Sequence, residues 1–183
     1  MRKYIFFLFT LFVSVSSAVA QNAETKEAEP DSVGYIIRVG QKVPDITWTE
    51  TNGKTVNIND LRGKVVMLQF TASWCGVCRK EMPFIERDIW QKHKGNNDFY
   101  LVGIDRDEPL ETVKKFAQQT GITYPLALDP GADLFAKFAL RKSGITRNVL
   151  VDRDGTIIMT TRLYNEDEFS RLAKKIDSLL NGQ

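Results

Sequence analysis

Histidine occurs once and cysteine twice in this 183-residue chain, and that scarcity removes several classes of protein. A closed zinc site takes four ligands, normally Cys or His, so Cys75, Cys78 and His93 cannot complete one within a single chain. Only one disulfide can form, and it would close a loop too short to remove much unfolded-state entropy. As a structural staple it would achieve little. Internal repeats and low-complexity tracts are also missing, and the apolar run near the N-terminus is short beside the about 20 residues of a membrane span.

Net charge is nearly absent as well, at +2. Residues 1–20 contain Arg2 and Lys3, then "YIFFLFTLFV", then small residues ending at Ala18 to Ala20. That is the charged, apolar and small-residue order of a secretory signal peptide, with cleavage expected after Ala20. No cysteine follows the small residues, so nothing marks a lipoprotein. Cleavage would remove both cations and leave a neutral domain with no electrostatic footprint for nucleic acid or an anionic membrane. The remaining length suits one domain with one core. Disulfides persist in exported proteins, and since this pair staples poorly, chemistry is its better explanation.

Residues 21–33 lack apolar periodicity and read as a flexible lead-in to a domain at 34–183. Asn52-Gly53 between short β-prone runs predicts an N-terminal β-hairpin. "VVMLQF", Val65 to Phe70, has the continuous apolar character of a strand buried on both faces. A helical pattern follows to about Lys94, then a strand "FYLVGID", a helix from Pro109 to Gln119 ending at Gly121, a short strand "YPLALD" and a further helix over Ala132 to Leu140. Asp154-Gly155 marks a closing hairpin. Asn165 with Glu168 forms a capping-box pattern, and Tyr164 and Phe169 occupy the staple positions of a last helix. Phe169, Leu172, Ala173, Ile176 and Leu179 give that helix one core-facing stripe. The alternation predicts an α/β domain with a mixed sheet covered on both faces.

The two cysteines sit in "FTASWCGVCRKEMP", Phe70 to Pro83. At about 100° per residue from Cys75, Cys78 falls on the apolar face with Met82, Ile85 and Ile89. Cys75 lies at the first turn, where free backbone N–H groups and the helix dipole favour a thiolate. The first cysteine is thereby the nucleophile and the shielded second one the resolving thiol. Gly76 and Val77 add no charge, which argues against a strong oxidant. Glu81, one turn beyond Cys78, is either an ordinary exposed acid or a partly buried carboxylate able to exchange a proton with Cys78. Pro83 should kink the helix. His93 reads as an exposed helix-end residue.

"WCGVC" followed five residues later by Pro83 resembles thioredoxin, and the wider pattern resembles the TlpA/ResA-like exported thiol–disulfide oxidoreductases. The shared segments are "VGQKVPDITW", "NDLRGKVVMLQFTASWC", "CRKEMP", "DEPLETVKKFAQQTGITYPLALDPG" and "NVLVDRDGTI", spanning roughly residues 38 to 180. The resemblance implies a thioredoxin fold with the N-terminal β-hairpin and an inserted helix-strand-helix segment. It also implies Glu81 as a catalytic proton-transfer partner, Trp74, Gly76 and Val77 as substrate contacts, and no cofactor beyond the redox-active disulfide Cys75–Cys78. Clients would be disulfide-containing exported proteins, and electrons would come from a membrane thiol transporter in the periplasm.

One departure matters. The family usually has a cis-proline before the strand matching "NVLVD", and this chain has Thr146 there. A non-proline cis peptide costs about 3 to 4 kcal/mol, which predicts a trans Ile145–Thr146 bond. Thr146 then becomes a substrate-side contact, with Arg147 as an assisting group near the sulfur. Two alternatives arise from the same residues. A thiol peroxidase would use Arg147 to polarise peroxide, although the threonine that peroxiredoxins place three residues before the reactive cysteine is missing; Thr71 is four before and Ser73 two. A non-enzymatic dimer would share Cys75 and Cys78 around zinc or an iron–sulfur cluster.

Overall fold

The computed structural model describes residues 30–182; the expected signal peptide and most of the lead-in lie outside the described residues. The elements run β1 (Thr47–Glu50), β2 (Thr55–Asn57), β3 (Val65–Thr71), α1 (Gly76–Ile85), α2 (Gln91–His93), β4 (Phe99–Arg106), α3 (Leu110–Thr120), β5 (Leu126–Asp129), β6 (Arg147–Val151), β7 (Ile157–Arg162) and α4 (Glu166–Asn181). The strands form one sheet in the order β2-β1-β5-β4-β3-β6-β7. β3, β4 and β5 are parallel, and the flanking pairs are antiparallel. Every residue of β3 is buried, as its continuous apolar run requires of a central strand. The hairpin β1–β2 forms as expected and extends the sheet because β1 pairs with β5.

On one face α1 packs against α3, and the π-helical turn Glu86–Trp90 that joins α1 to α2 packs against α4. This turn follows Pro83, which lies inside α1 without an N–H to donate. α4 begins where the sequence places it: Asn165 Oδ1 accepts from the Glu168 N–H at 3.0 Å, and the Tyr164 and Phe169 rings meet at 5.9 Å. His93 differs from expectation. Its Nε2 lies 2.7 Å from Asp177 Oδ1 on α4, so it ties two helices together rather than projecting into solvent.

The expected helix over 132–140 does not form. Two short 3₁₀ turns, Pro130–Ala132 and Phe135–Lys137, stand in its place. Gly131 and Ala132 both take positive φ, which breaks a right-handed helix at its start. Asp129 accepts from the Leu134 and Phe135 N–H groups at 2.8 and 2.9 Å and begins the second turn afresh. Beyond it the N-terminal residues compete for the backbone: Ile36 N–H donates to Phe138 O at 2.9 Å and Leu140 N–H to Gly34 O at 2.9 Å. Phe135 and Phe138 instead cover the second face of the sheet, packing on Phe70 at 5.6 and 5.0 Å between ring centroids. The inserted segment is therefore helix, strand and turns.

Candidate active site

β3 ends at Thr71 and delivers the chain to the turn that precedes α1. Cys75 N–H donates to Ala72 O at 3.1 Å, closing that turn. Cys75 caps α1, its Sγ accepting from the Cys78 N–H at 3.2 Å. The first cysteine therefore sits where a developing thiolate meets unpaired N–H groups and the positive end of the helix dipole. The two cysteines form a disulfide with Cα atoms 5.3 Å apart. Cys75 is 8% exposed and Cys78 fully buried, the asymmetry expected of an attacking and a resolving sulfur.

Around Cys75 the surface is apolar and open. Trp74 is 59% exposed, Val77 and Gly76 are exposed beside it, and the Arg106 guanidinium lies 5.1 Å from the Trp74 ring centroid. Thr146 closes the other side. Its Oγ1 lies 3.2 Å from Cys75 Sγ and 3.3 Å from Cys78 Sγ. No cis peptide bond occurs among the described residues, so Ile145–Thr146 is trans as the cost of the alternative demands. The trans backbone brings a hydroxyl, which can donate to or accept from sulfur, against both reacting atoms.

Beneath the cysteines, Glu81 is 1% exposed, so the ordinary exposed-acid reading does not apply. Its Oε1 accepts from Asn148 Nδ2 at 2.7 Å, while Oε2 is buried with no hydrogen-bond partner among the described residues. Burial raises the carboxyl from 4.5 to about 7, against the opposing pull of the Asn148 and Gln69 amides. A group poised near neutrality, three residues from Cys78 on the same helical face, can hold and release a proton there.

Arg147 is a correction. Side chains alternate across a strand, so Thr146 and Asn148 face α1 while Arg147 faces the opposite layer. There its Nη2 donates to Val33 O and Ser143 Oγ at 2.5 and 3.1 Å, and its Nε to Gly144 O at 3.1 Å. The guanidinium also stacks over the Tyr35 ring at 4.2 Å. Arg147 holds the N-terminal segment to β6, and the peroxidase reading loses the cation that supported it. Asn148 was missed, although its place two residues beyond Thr146 fixed its face.

A family model described as Redoxin matches residues 38–176. The chain belongs to the Redoxin family. Within it, the thiol–disulfide oxidoreductase ResA of Bacillus anthracis is 30% identical over 122 residues, 67% of this chain and 68% of that protein. A solved structure from Bacteroides thetaiotaomicron, provisionally assigned as a protein disulfide isomerase, is 68% identical with a TM-score of 0.80, covering 82% of this chain and 94% of its own. Another from Chlorobium tepidum, provisionally assigned as the thiol:disulfide interchange protein DsbE, is 28% identical with a TM-score of 0.66, covering 79% and 99%. This Redoxin-family chain is a thiol–disulfide oxidoreductase of thioredoxin fold, and its Cys75–Cys78 CxxC pair is disulfide-bonded.

The buried Glu81 makes stability depend on pH. Between about pH 4.5 and about 7 the folded protein keeps a proton on Glu81 that the unfolded chain has released, so stability falls as pH rises through that window and levels off above it. The difference corresponds to about 3 to 4 kcal/mol at about 1.4 kcal/mol per pKa unit. Urea titrations of the oxidised Glu81→Gln variant should show the loss between those pH values reduced by that amount; an unchanged loss would mean another group titrates. Thr146→Val removes the hydroxyl at nearly constant volume. A hydrogen bond to a charged group contributes about 1.5 to 3 kcal/mol, so the Cys75 thiol pKa of the reduced variant should rise by about one unit or more. Thiolate absorbance against pH reads this directly, and coincident curves would show that the hydroxyl does not serve the thiolate.

Proposed function

We propose that this protein reduces or exchanges disulfides in other exported proteins, with Cys75 as nucleophile, Cys78 as resolving thiol and Glu81 as the proton-transfer partner of Cys78. The supporting observation is the pairing of a surface-reachable, helix-capping Cys75 with a fully buried Cys78 above a near-neutral buried carboxyl. In the reduced protein the Cys75 thiolate attacks one sulfur of a client disulfide. The client S–S bond breaks, a client thiolate leaves, and a Cys75–client mixed disulfide forms. Cys78 then gives its proton to Glu81 and attacks Cys75 Sγ, which breaks the mixed disulfide and releases the second client thiolate. Two electrons pass to the client, and Cys75–Cys78 is the oxidised product.

Trp74, Gly76, Val77 and Thr146 form the contact surface for the client segment around its disulfide. An open apolar rim suits a protein substrate, which brings its own shape, better than a small molecule that needs enclosure. The compartment is the periplasm, reached through a signal peptide cleaved after Ala20, and a membrane thiol-electron transporter restores the dithiol. Uncharged Gly76 and Val77, and a Cys75 Sγ whose hydrogen bonds among the described residues go to the Cys78 N–H and the Thr146 hydroxyl rather than to a cation, favour a reducing potential.

Trapping tests the assignment. Cys75→Ser should abolish disulfide reduction, and Cys78→Ser should accumulate a mixed disulfide with a protein substrate, visible as a dithiothreitol-sensitive adduct by mass spectrometry. Full turnover by either variant would refute these roles. The equilibrium potential should fall nearer thioredoxin's about −270 mV than the about −120 mV of a strong oxidant; a value at the oxidising end would make the protein a disulfide donor.

A further inference from the structure

Away from Glu81, a second set of acids stands behind the turn that carries Cys75. Asp105 lies in the parallel register opposite Thr71, the last residue of β3, and is fully buried. Among the described residues, neither of its carboxyl oxygens has an N–H or O–H partner. The carboxyl that acts on it is that of Glu108, by its charge and as a hydrogen-bonding group. A fully buried carboxylate facing a half-buried one is repelled by it, and the contact becomes favourable when one of them carries a proton to give to the other. Glu108 in turn reaches across to the turn before Cys75. Its Oε2 accepts from the Ser73 N–H at 2.5 Å and its Oε1 from Ser73 Oγ at 2.6 Å. Those two bonds fix the residue two positions before the nucleophile, with exposed Trp74 between them.

We propose that Glu108 is a positioning residue for the Trp74–Cys75 turn, and that its hold on Ser73 depends on a proton that Asp105 donates to it. The inference rests on Cys75 being the nucleophile of the proposed disulfide exchange, and it adds a control on how firmly that nucleophile is held. Burial, then the charge of Glu108 and the hydrogen bond to it, then the charge of Asp129, raise the Asp105 carboxyl from 3.8 to about 8. The proton is thus present at neutral pH and lost in mild alkali.

The surrounding charges determine how the turn responds to losing that proton. Asp129 on β5 is itself occupied by the Leu134 and Phe135 N–H groups, and the Asp107 carboxylate by Gly131 N–H at 2.9 Å. Thr71 Oγ1 is turned to Met82 Sδ at 3.4 Å. On the cationic side, the Arg106 guanidinium donates to Arg141 O and Ser143 O, and Arg79 Nε to Ser73 O at 2.7 Å. Neither arginine shows a hydrogen bond to Asp105, whose oxygens have none. When Asp105 ionises, its charge acts on Glu108 without a counterion bonded to it. Glu108 moves away, Ser73 loses both bonds, and the turn keeps only the Arg79 bond to Ser73 O and its own Cys75 N–H to Ala72 O closure.

Tryptophan fluorescence of the oxidised full-length mature protein tests this without any thiol to titrate. Between about pH 6 and about pH 10 the wild type should show one transition near pH 8, absent from Trp74→Phe and retained in Glu81→Gln. Asp105→Asn should hold the neutral-pH spectrum throughout, because its amide still donates to Glu108 and cannot ionise. Glu108→Gln, a second route should that variant fail to fold, should move the transition to lower pH by removing the facing charge. In insulin reduction, wild type and Asp105→Asn should match near pH 7, with the wild type falling about threefold or more below the variant near pH 9. A flat wild-type titration, or a transition unchanged in Asp105→Asn and in Glu108→Gln, would overturn the proposal. Equal rates at both pH values would overturn its positioning role. Failure to reduce any disulfide at neutral pH would instead count against the proposed function and leave the fluorescence result standing.

Discussion

The antiparallel register between β3 and β6 is the constraint on which the site depends. It sets Gln69 opposite Asn148 and Phe70 opposite Arg147, and alternation then divides the two pairs between the faces of the sheet. Polar Gln69 and Asn148 meet the buried Glu81 on α1, while Phe70 and Arg147 join the aromatic layer formed by Tyr35, Phe135 and Phe138. A one-residue slip of β6 would reverse which of its side chains meet α1. It would remove Asn148 from Glu81 and turn Arg147 away from the aromatic layer.

The same register explains how a threonine can occupy the position where the resemblance predicts a cis-proline. Thr146 immediately precedes β6, and its carbonyl accepts from the Leu163 N–H at 3.2 Å after β7. With the backbone held there, an ordinary trans peptide suffices to bring Oγ1 to both sulfurs. Proline offers no hydrogen to a sulfur, and threonine offers one. The substitution therefore changes the chemistry facing the disulfide as well as the shape of the groove.

Features set by neighbours in sequence were legible before the fold was known. The helix start at Cys75, the Asn165 cap, the Asn52-Gly53 hairpin and the buried character of β3 each follow from a few adjacent residues. Glu81 was half legible: its helical angle put it at the edge of the buried face, but its depth depended on β6 lying beneath α1. Features set by distant pairing were misread. The segment 132–140 has the apolar spacing of a helix, yet its backbone is claimed by Gly34 and Ile36, about a hundred residues earlier. Arg147 looked like a neighbour of the sulfur because Thr146 is one, and strand alternation sends adjacent side chains to opposite faces. Ser73 and Glu108 meet only because β3 and β4 run parallel and end side by side.

The N-terminal strap does more than displace a helix. Sheets that stop at an unpaired strand offer a row of free N–H and C=O groups to any other extended chain, and β7 is such a terminal strand. Here Gly40 N–H donates to Ile157 O and Ile157 N–H to Gln41 O, both at 2.8 Å, while Lys42 bridges to Thr156. Tyr35 adds its hydroxyl to Thr161 O at 2.7 Å from the inner face. The start of this edge strand is thus already occupied by the protein's own chain, and an extended segment of another protein finds fewer free backbone groups there.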